Sequence, residues 1–141
     1  MTQAASAEPS AGAFLDTNVL VRHLTGDPPS MAESATRYLL HASSLLVADL
    51  IIAELCYVLE SVYERTRADI AVTLRSVIAM PSVLVVDSPL LHRAIELYEH
   101  DRLDFADAYL VAAAERSGVG AVVSFDRSID RITTVRRIEP A

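Results

Sequence analysis

The chain has 141 residues, room for one domain around one buried core. Its composition is 52% hydrophobic and 22% charged, with 4 Gly and 6 Pro, which excludes a disordered or fibrous chain. Against 19 acidic residues stand 12 basic ones, a net charge of −7, so bulk charge alone makes the chain a poor ligand for nucleic acid. Any handling of nucleic acid must then rely on bound cations or local arginine clusters that offset the acids.

Met1 to Gly12 is Ala/Ser/Pro-rich and has neither the basic start nor the apolar stretch of a signal peptide. It reads as a flexible tail (residues 1–12) before a single domain over residues 13–141. No apolar run reaches the roughly 18 residues of a membrane span. The lone Cys56 has no partner for an internal disulfide, in keeping with a cytoplasmic setting, and its apolar helical context points to a buried, inert thiol. His23, His41, His92 and His100 lack the spacing of zinc ligands.

Ala13-Phe14-Leu15 is a short apolar run ending at Asp16 and reads as a buried strand. A short helix follows over Thr17 to Leu24, broken by Gly26-Asp27-Pro28-Pro29, and a second over Ser30 to Ala42. Leu45-Leu46-Val47 is the next strand, with Asp49 placed to cap the helix after it. That helix, Leu50 to Arg65, carries Ile51, Leu55, Val58 and Val62 at helical spacing. Thr66 to Asp69 punctuates the chain before a helix over Ile70 to Met80. Val83 to Val86 is continuous and β-branched, a third strand ending at Asp87. Ser88 to His100 is helical with Pro89 in the first turn, and Phe105 to Ser117 is a helix closed by Gly118. Ala121-Val122-Val123 is the fourth strand, and a weaker fifth falls near Thr134 to Arg136. Apolar strands alternating with helices predict an α/β fold with a mainly parallel sheet covered on both faces.

In such sheets chemistry collects beyond the carboxyl ends of the strands. Asp16 and Asp126 follow strand ends, Glu54 lies early in the helix after the second strand, and Asp104 and Asp107 open the helix before the fourth. Carboxylates gathered at one place resist full ionisation unless cations sit between them, and all-oxygen acidic pockets suit Mg²⁺ or Mn²⁺. Each acid taken singly has a structural reading as well. Asp16 stands where a helix cap stands, Glu54 suits the helix dipole, Asp104 and Asp107 have capping spacing, and Asp126 suits a turn.

Four local motifs resemble those of the PIN-domain nucleases. Phe14-Leu15-Asp16-Thr17-Asn18-Val19-Leu20-Val21 is similar to the family's opening strand and turn, and Ile52-Ala53-Glu54-Leu55 to its second acidic position. Asp104-Phe105-Ala106-Asp107-Ala108-Tyr109-Leu110-Val111-Ala112-Ala113-Ala114 resembles the third acidic block and Val123-Ser124-Phe125-Asp126-Arg127 the fourth, where Ser124 replaces a frequent threonine. The likeness runs from Ala13 nearly to the end and is greatest to the single-domain toxins of bacterial toxin–antitoxin pairs, the VapC-like group. It implies a three-layer sandwich with a central, mainly parallel five-stranded sheet flanked by helices. It implies that Asp16, Glu54, Asp107 and Asp126 hold Mg²⁺ or Mn²⁺ and carry catalysis, with Asp104, Thr17, Asn18 and Ser124 in support. It also implies RNA as substrate, a small antitoxin that blocks the site, and a homodimer. Arg22 and Arg127, and more weakly Arg102, lie near the acids in sequence and are candidate phosphate contacts.

Rival readings are few. Haloacid-dehalogenase-like phosphatases resemble Asp-x-Asp, whereas Asn18 stands two residues after Asp16; both they and receiver domains depend on a lysine, and every basic residue here is arginine. The four glycines are isolated, so there is no phosphate-binding loop of the Walker type. The alternative from a different class is a catalytically inactive PIN-like module that binds RNA or protein.

Overall fold

The structure, a computed structural model, describes residues 12–141. The expected flexible tail therefore lies, except for Gly12, outside the described residues. The chain forms two compact units. The first takes the described residues up to Val58 together with Ser76–Val86, and the second takes Leu59–Arg75 with Asp87–Ala141.

In the first unit, β1 (Ala13–Phe14), β2 (Leu45–Leu46) and β3 (Val83–Leu84) form a parallel sheet in the order β1-β2-β3. Ala13 pairs with Leu45, and Leu45 with Val83. The ladder continues one rung past each short strand through Leu15 N–H to Leu46 O (2.9 Å) and Val47 N–H to Leu84 O (2.9 Å). Between β1 and β2 run α1 (Thr17–Thr25) and α2 (Pro29–His41), which pack on each other. Gly26 ends α1 in the left-handed region at φ +72°, its N–H returning to Arg22 O. After β2 comes α3 (Asp49–Ser61), and α4 (Arg67–Ile78) leads to β3; the division between units falls within each of these two helices.

In the second unit, α5 (Ser88–His100) and α6 (Phe105–Ser117) pack on each other ahead of β4 (Ala121–Val123). A 3-10 helix, Arg127–Arg131, connects β4 to β5 (Arg136–Ile138), which pairs with it in parallel, Val122 against Arg137. Leu91, Ile95, Leu103, Val111 and Ile129 are fully buried here, and Tyr98 meets Phe105 edge to face at 6.1 Å.

Most helices fall within a residue or two of their expected bounds, and several details differ. The sheet is one of three strands and one of two rather than an evident five-stranded one. The third strand stops at Leu84 because its partner offers no rung beyond Val47, and Val86 is left 93% exposed rather than buried. In α3 the buried face is Ile52, Leu55, Cys56 and Leu59, one step round from the expected stripe, and Val62 lies beyond the helix, 66% exposed. Asp49 is the first residue of α3 rather than its cap. The punctuation at Thr66 is a cap: its hydroxyl accepts from Asp69 N–H at 3.2 Å, so α4 starts at Arg67, earlier than expected. The last strand is Arg136–Ile138, displaced from Thr134 to Arg136. Among the described residues no helix is long and apolar enough to cross a membrane.

Candidate active site

In the first unit, parallel pairing puts the carboxyl ends of β1 and β2 at one edge of the sheet. Asp16 follows β1 and occupies the cap position of α1, yet its side chain makes no capping hydrogen bond. Asp87 shows what a cap in use looks like: its Oδ1 accepts from Leu90 N–H at 3.1 Å and its Oδ2 from Arg116 Nε at 2.5 Å. Those contacts, led by the Arg116 guanidinium, hold the Asp87 carboxyl below the usual carboxylate range. The capping explanation therefore fits Asp87 and leaves the Asp16 carboxylate unaccounted for. Glu54 stands exposed in the second turn of α3, the helix that follows β2.

Thr17, next to Asp16, is only 4% exposed, and its Oγ1 is buried with no hydrogen-bond partner. A buried hydroxyl without a partner carries a desolvation penalty that an added acceptor or water would relieve. Asp16, Asn18 and Arg22 are among the residues lining a groove of about 630 Å³ whose walls are otherwise mainly apolar, Phe14, Val19, Met31 and Tyr38 among them. Arg22 donates through Nη1 to Asp27 O (3.0 Å), while its buried Nε has no partner.

In the second unit two of the expected acids meet. α6 runs toward β4, so the first turn of the helix and the end of the strand lie at the same end. Asp107, in that first turn, donates a hydrogen bond to the Asp126 carboxylate. Burial, then the hydrogen bond and charge of Asp126, then the charge of Asp104, push the Asp107 carboxyl up to about 6. Asp126 moves the other way: its Oδ1 accepts from the Ser128 hydroxyl (2.6 Å) and the Ser128 N–H (2.9 Å), and these with the Asp107 contact hold it below the usual range. Asp104 occupies the cap position of α6 without a side-chain capping bond, so the capping role that its spacing suggested is not made. Ser124 accepts the Asp126 N–H on its Oγ at 3.0 Å, shaping the turn that presents Asp126. Arg127 is exposed at the start of the 3-10 helix, and Arg102 is exposed at φ +58° between α5 and α6.

Two contributors escaped the sequence reading. Ser128 was legible in Asp126-Arg127-Ser128, a spacing at which an aspartate accepts from the backbone two residues on. Arg137, which donates to Ser124 O at 2.9 Å, has no local signal for this role because the two partners that flank Asp126, Asp130 and Ser124, lie 7 and 13 residues away from it.

Among the described residues no three His, Cys, Asp or Glu side chains stand together as a ready-made metal cage. The chemistry of the donors nevertheless fits a hard cation. Asp107 and Asp126 face each other closely enough for Asp107, when protonated, to donate to Asp126, and a cation between two such carboxylates would relieve their repulsion. All the candidate donors are oxygens, the set that Mg²⁺ and Mn²⁺ prefer.

A family model described as "PIN domain" matches residues 13–135. A "VapC ribonuclease" of Aquifex aeolicus (strain VF5) is 30% identical over 123 residues, covering 84% of this chain and 90% of the relative. Among solved structures, the Mycobacterium tuberculosis VapC20, a sarcin-ricin loop cleaving toxin, aligns over 88% of this chain and 98% of its own, at 22% identity and a TM-score of 0.41. VapBC2 from Rickettsia felis, bound to a DNA fragment from its promoter, aligns over 92% and 99% at 14% identity and a TM-score of 0.35.

Proposed function

The chain belongs to the PIN-domain family, and on that premise we propose that it is a metal-dependent endoribonuclease, the toxin of a toxin–antitoxin pair. The observation that carries this reading is the Asp107–Asp126 pair, two carboxyls in contact with Asp107 pushed up to about 6. Family membership and the 30% identical ribonuclease support the hydrolysis of RNA phosphodiester bonds.

In this proposal Asp16, Glu54, Asp107 and Asp126 hold Mg²⁺ or Mn²⁺, directly or through water. When bound, the ion lowers the pKa of a water and balances charge on the phosphate oxygens in an in-line displacement. The chain's own residues do the rest. One of the acids takes the proton of the attacking water. Thr17, with its unpartnered buried hydroxyl, Asn18 and Ser124 orient carboxylates and water, and Asp104 adds negative charge beside Asp107. Arg22 and Arg127 contact phosphate, and the unused buried Nε of Arg22 is a donor ready for it.

The same reading makes residues 13–141 one PIN domain, its three- and two-stranded sheets parts of one five-stranded sheet. It carries with it an antitoxin partner, a homodimer and a cytoplasmic location, as the VapC-like resemblance implies. The test is cleavage of a mixed cellular RNA pool by the purified chain. Cutting with Mn²⁺ or Mg²⁺ and none with chelator is expected. Without metal-dependent cutting, the inactive binding module replaces the nuclease.

A further inference from the structure

Arg137 lies on β5, and its side chain is only 11% exposed. Its Nε and Nη2 grip the two carboxylate oxygens of Asp130 at 2.9 and 3.1 Å. Its Nη1 donates to Ser124 O and to Glu139 Oε1, each at 2.9 Å. Ser124 comes two residues before Asp126, in the turn after β4; Asp130 comes four residues after it, in the 3-10 helix that Asp126 caps. One guanidinium therefore ties both flanks of the Asp126 turn to β5. Within the turn, Ser128 occupies Asp126 Oδ1, which fixes how the carboxylate is turned. A rigid planar fork can hold a carboxylate in two bonds and a carbonyl in a third direction. A lysine ammonium, a point charge on a flexible stem, cannot reproduce that grip.

We infer that Arg137 is the positioning residue for Asp126, holding its carboxylate where it can ligate a divalent cation. The inference rests on the metal-site reading above. Arg137 touches neither the cation nor the RNA; it acts through the Ser124 carbonyl and Asp130.

The test is Mn²⁺ titration of the full chain, followed by the loss of free-ion EPR signal, beside thermal melts of the metal-free proteins. Four proteins are compared: the unsubstituted chain, Asp126→Asn, Arg137→Lys and Asp130→Asn. Asp130→Asn releases the fork without altering Arg137, and so keeps the test open if Arg137→Lys fails to fold. The unsubstituted chain binds Mn²⁺ and Asp126→Asn loses that binding. Arg137→Lys and Asp130→Asn weaken it by about tenfold or more, the usual effect of removing a group that orients a metal ligand, while still melting cooperatively. If these two lower the melting temperature yet keep full Mn²⁺ affinity, while Asp126→Asn loses it, Arg137 is merely structural and the inference fails with the metal site intact. If the unsubstituted chain binds no Mn²⁺, or Asp126→Asn binds as tightly, the metal-site reading itself fails and takes the inference with it.

Discussion

Asp107 donates a hydrogen bond to the carboxylate of Asp126, joining the first turn of α6 to the turn that follows β4. Between about pH 4 and pH 6 the pair holds a proton that two separate aspartates would already have lost. In metal-free protein, the Asp107 carboxyl is expected to titrate at about 6, against an ordinary 3.8. Carbon-13 NMR of the side-chain carboxyls checks it directly, and Asp126→Asn should bring Asp107 down toward the ordinary range.

The same shift sets the pH dependence of stability without metal. The folded chain holds the Asp107 proton more tightly than the unfolded chain does. This contribution is therefore present below pH 3.8 and is lost as pH rises to about 6. Thermal melts in chelator should show the decline, and Asp107→Asn should remove it. A melting temperature difference between the two proteins that stays constant from pH 4 to pH 7 would contradict it.

Arg67 holds the approach to Asp104 and Asp107. Its Nη1 donates to Tyr98 O (2.8 Å) and Leu103 O (2.6 Å), and its guanidinium lies over the Tyr98 ring at 4.3 Å. Arg67→Ala is expected to destabilise the chain by about 1.5–3 kcal/mol, the range for hydrogen bonds to charged groups. Urea unfolding measures it, and a change below about 0.5 kcal/mol, the level of an ordinary surface substitution, would show that the clamp is idle.

Leu59 and Val62 separate the buried face of α3 from the exposed end. Leu59 is fully buried and Val62 is 66% exposed. Leu59→Ala should cost about 2–5 kcal/mol, and Val62→Ala should stay within about 0.5 kcal/mol, both by urea unfolding.

That pair also marks how far the sequence could be read. α5 and α6 were legible to their ends because punctuation is local: Asp87 and Pro89 start one, and Gly118 at φ +80° closes the other. β4 was legible from its apolar run. The face of α3 was not, because Ile51 and Ile52, Leu55 and Cys56, and Val58 and Leu59 offer two apolar stripes, and only packing chooses between them. β5 was misplaced because Arg136 and Arg137 hide a strand whose register is set by β4, through Arg136 N–H to Gly120 O at 2.9 Å. The acids were found by their places at strand and helix ends. The contacts that shape Asp126 depend in part on Arg137, a residue distant in sequence.

The most direct test of the four-acid site is RNA cleavage with Mn²⁺ by Asp16→Asn, Glu54→Gln, Asp107→Asn and Asp126→Asn, each with a thermal melt. The account predicts that every substitution abolishes cutting while the chain stays folded, and that Asp16→Asn leaves the melting temperature unchanged because Asp16 caps nothing. Variants that cut RNA as fast as the unsubstituted chain, or lose activity only by unfolding, would contradict it.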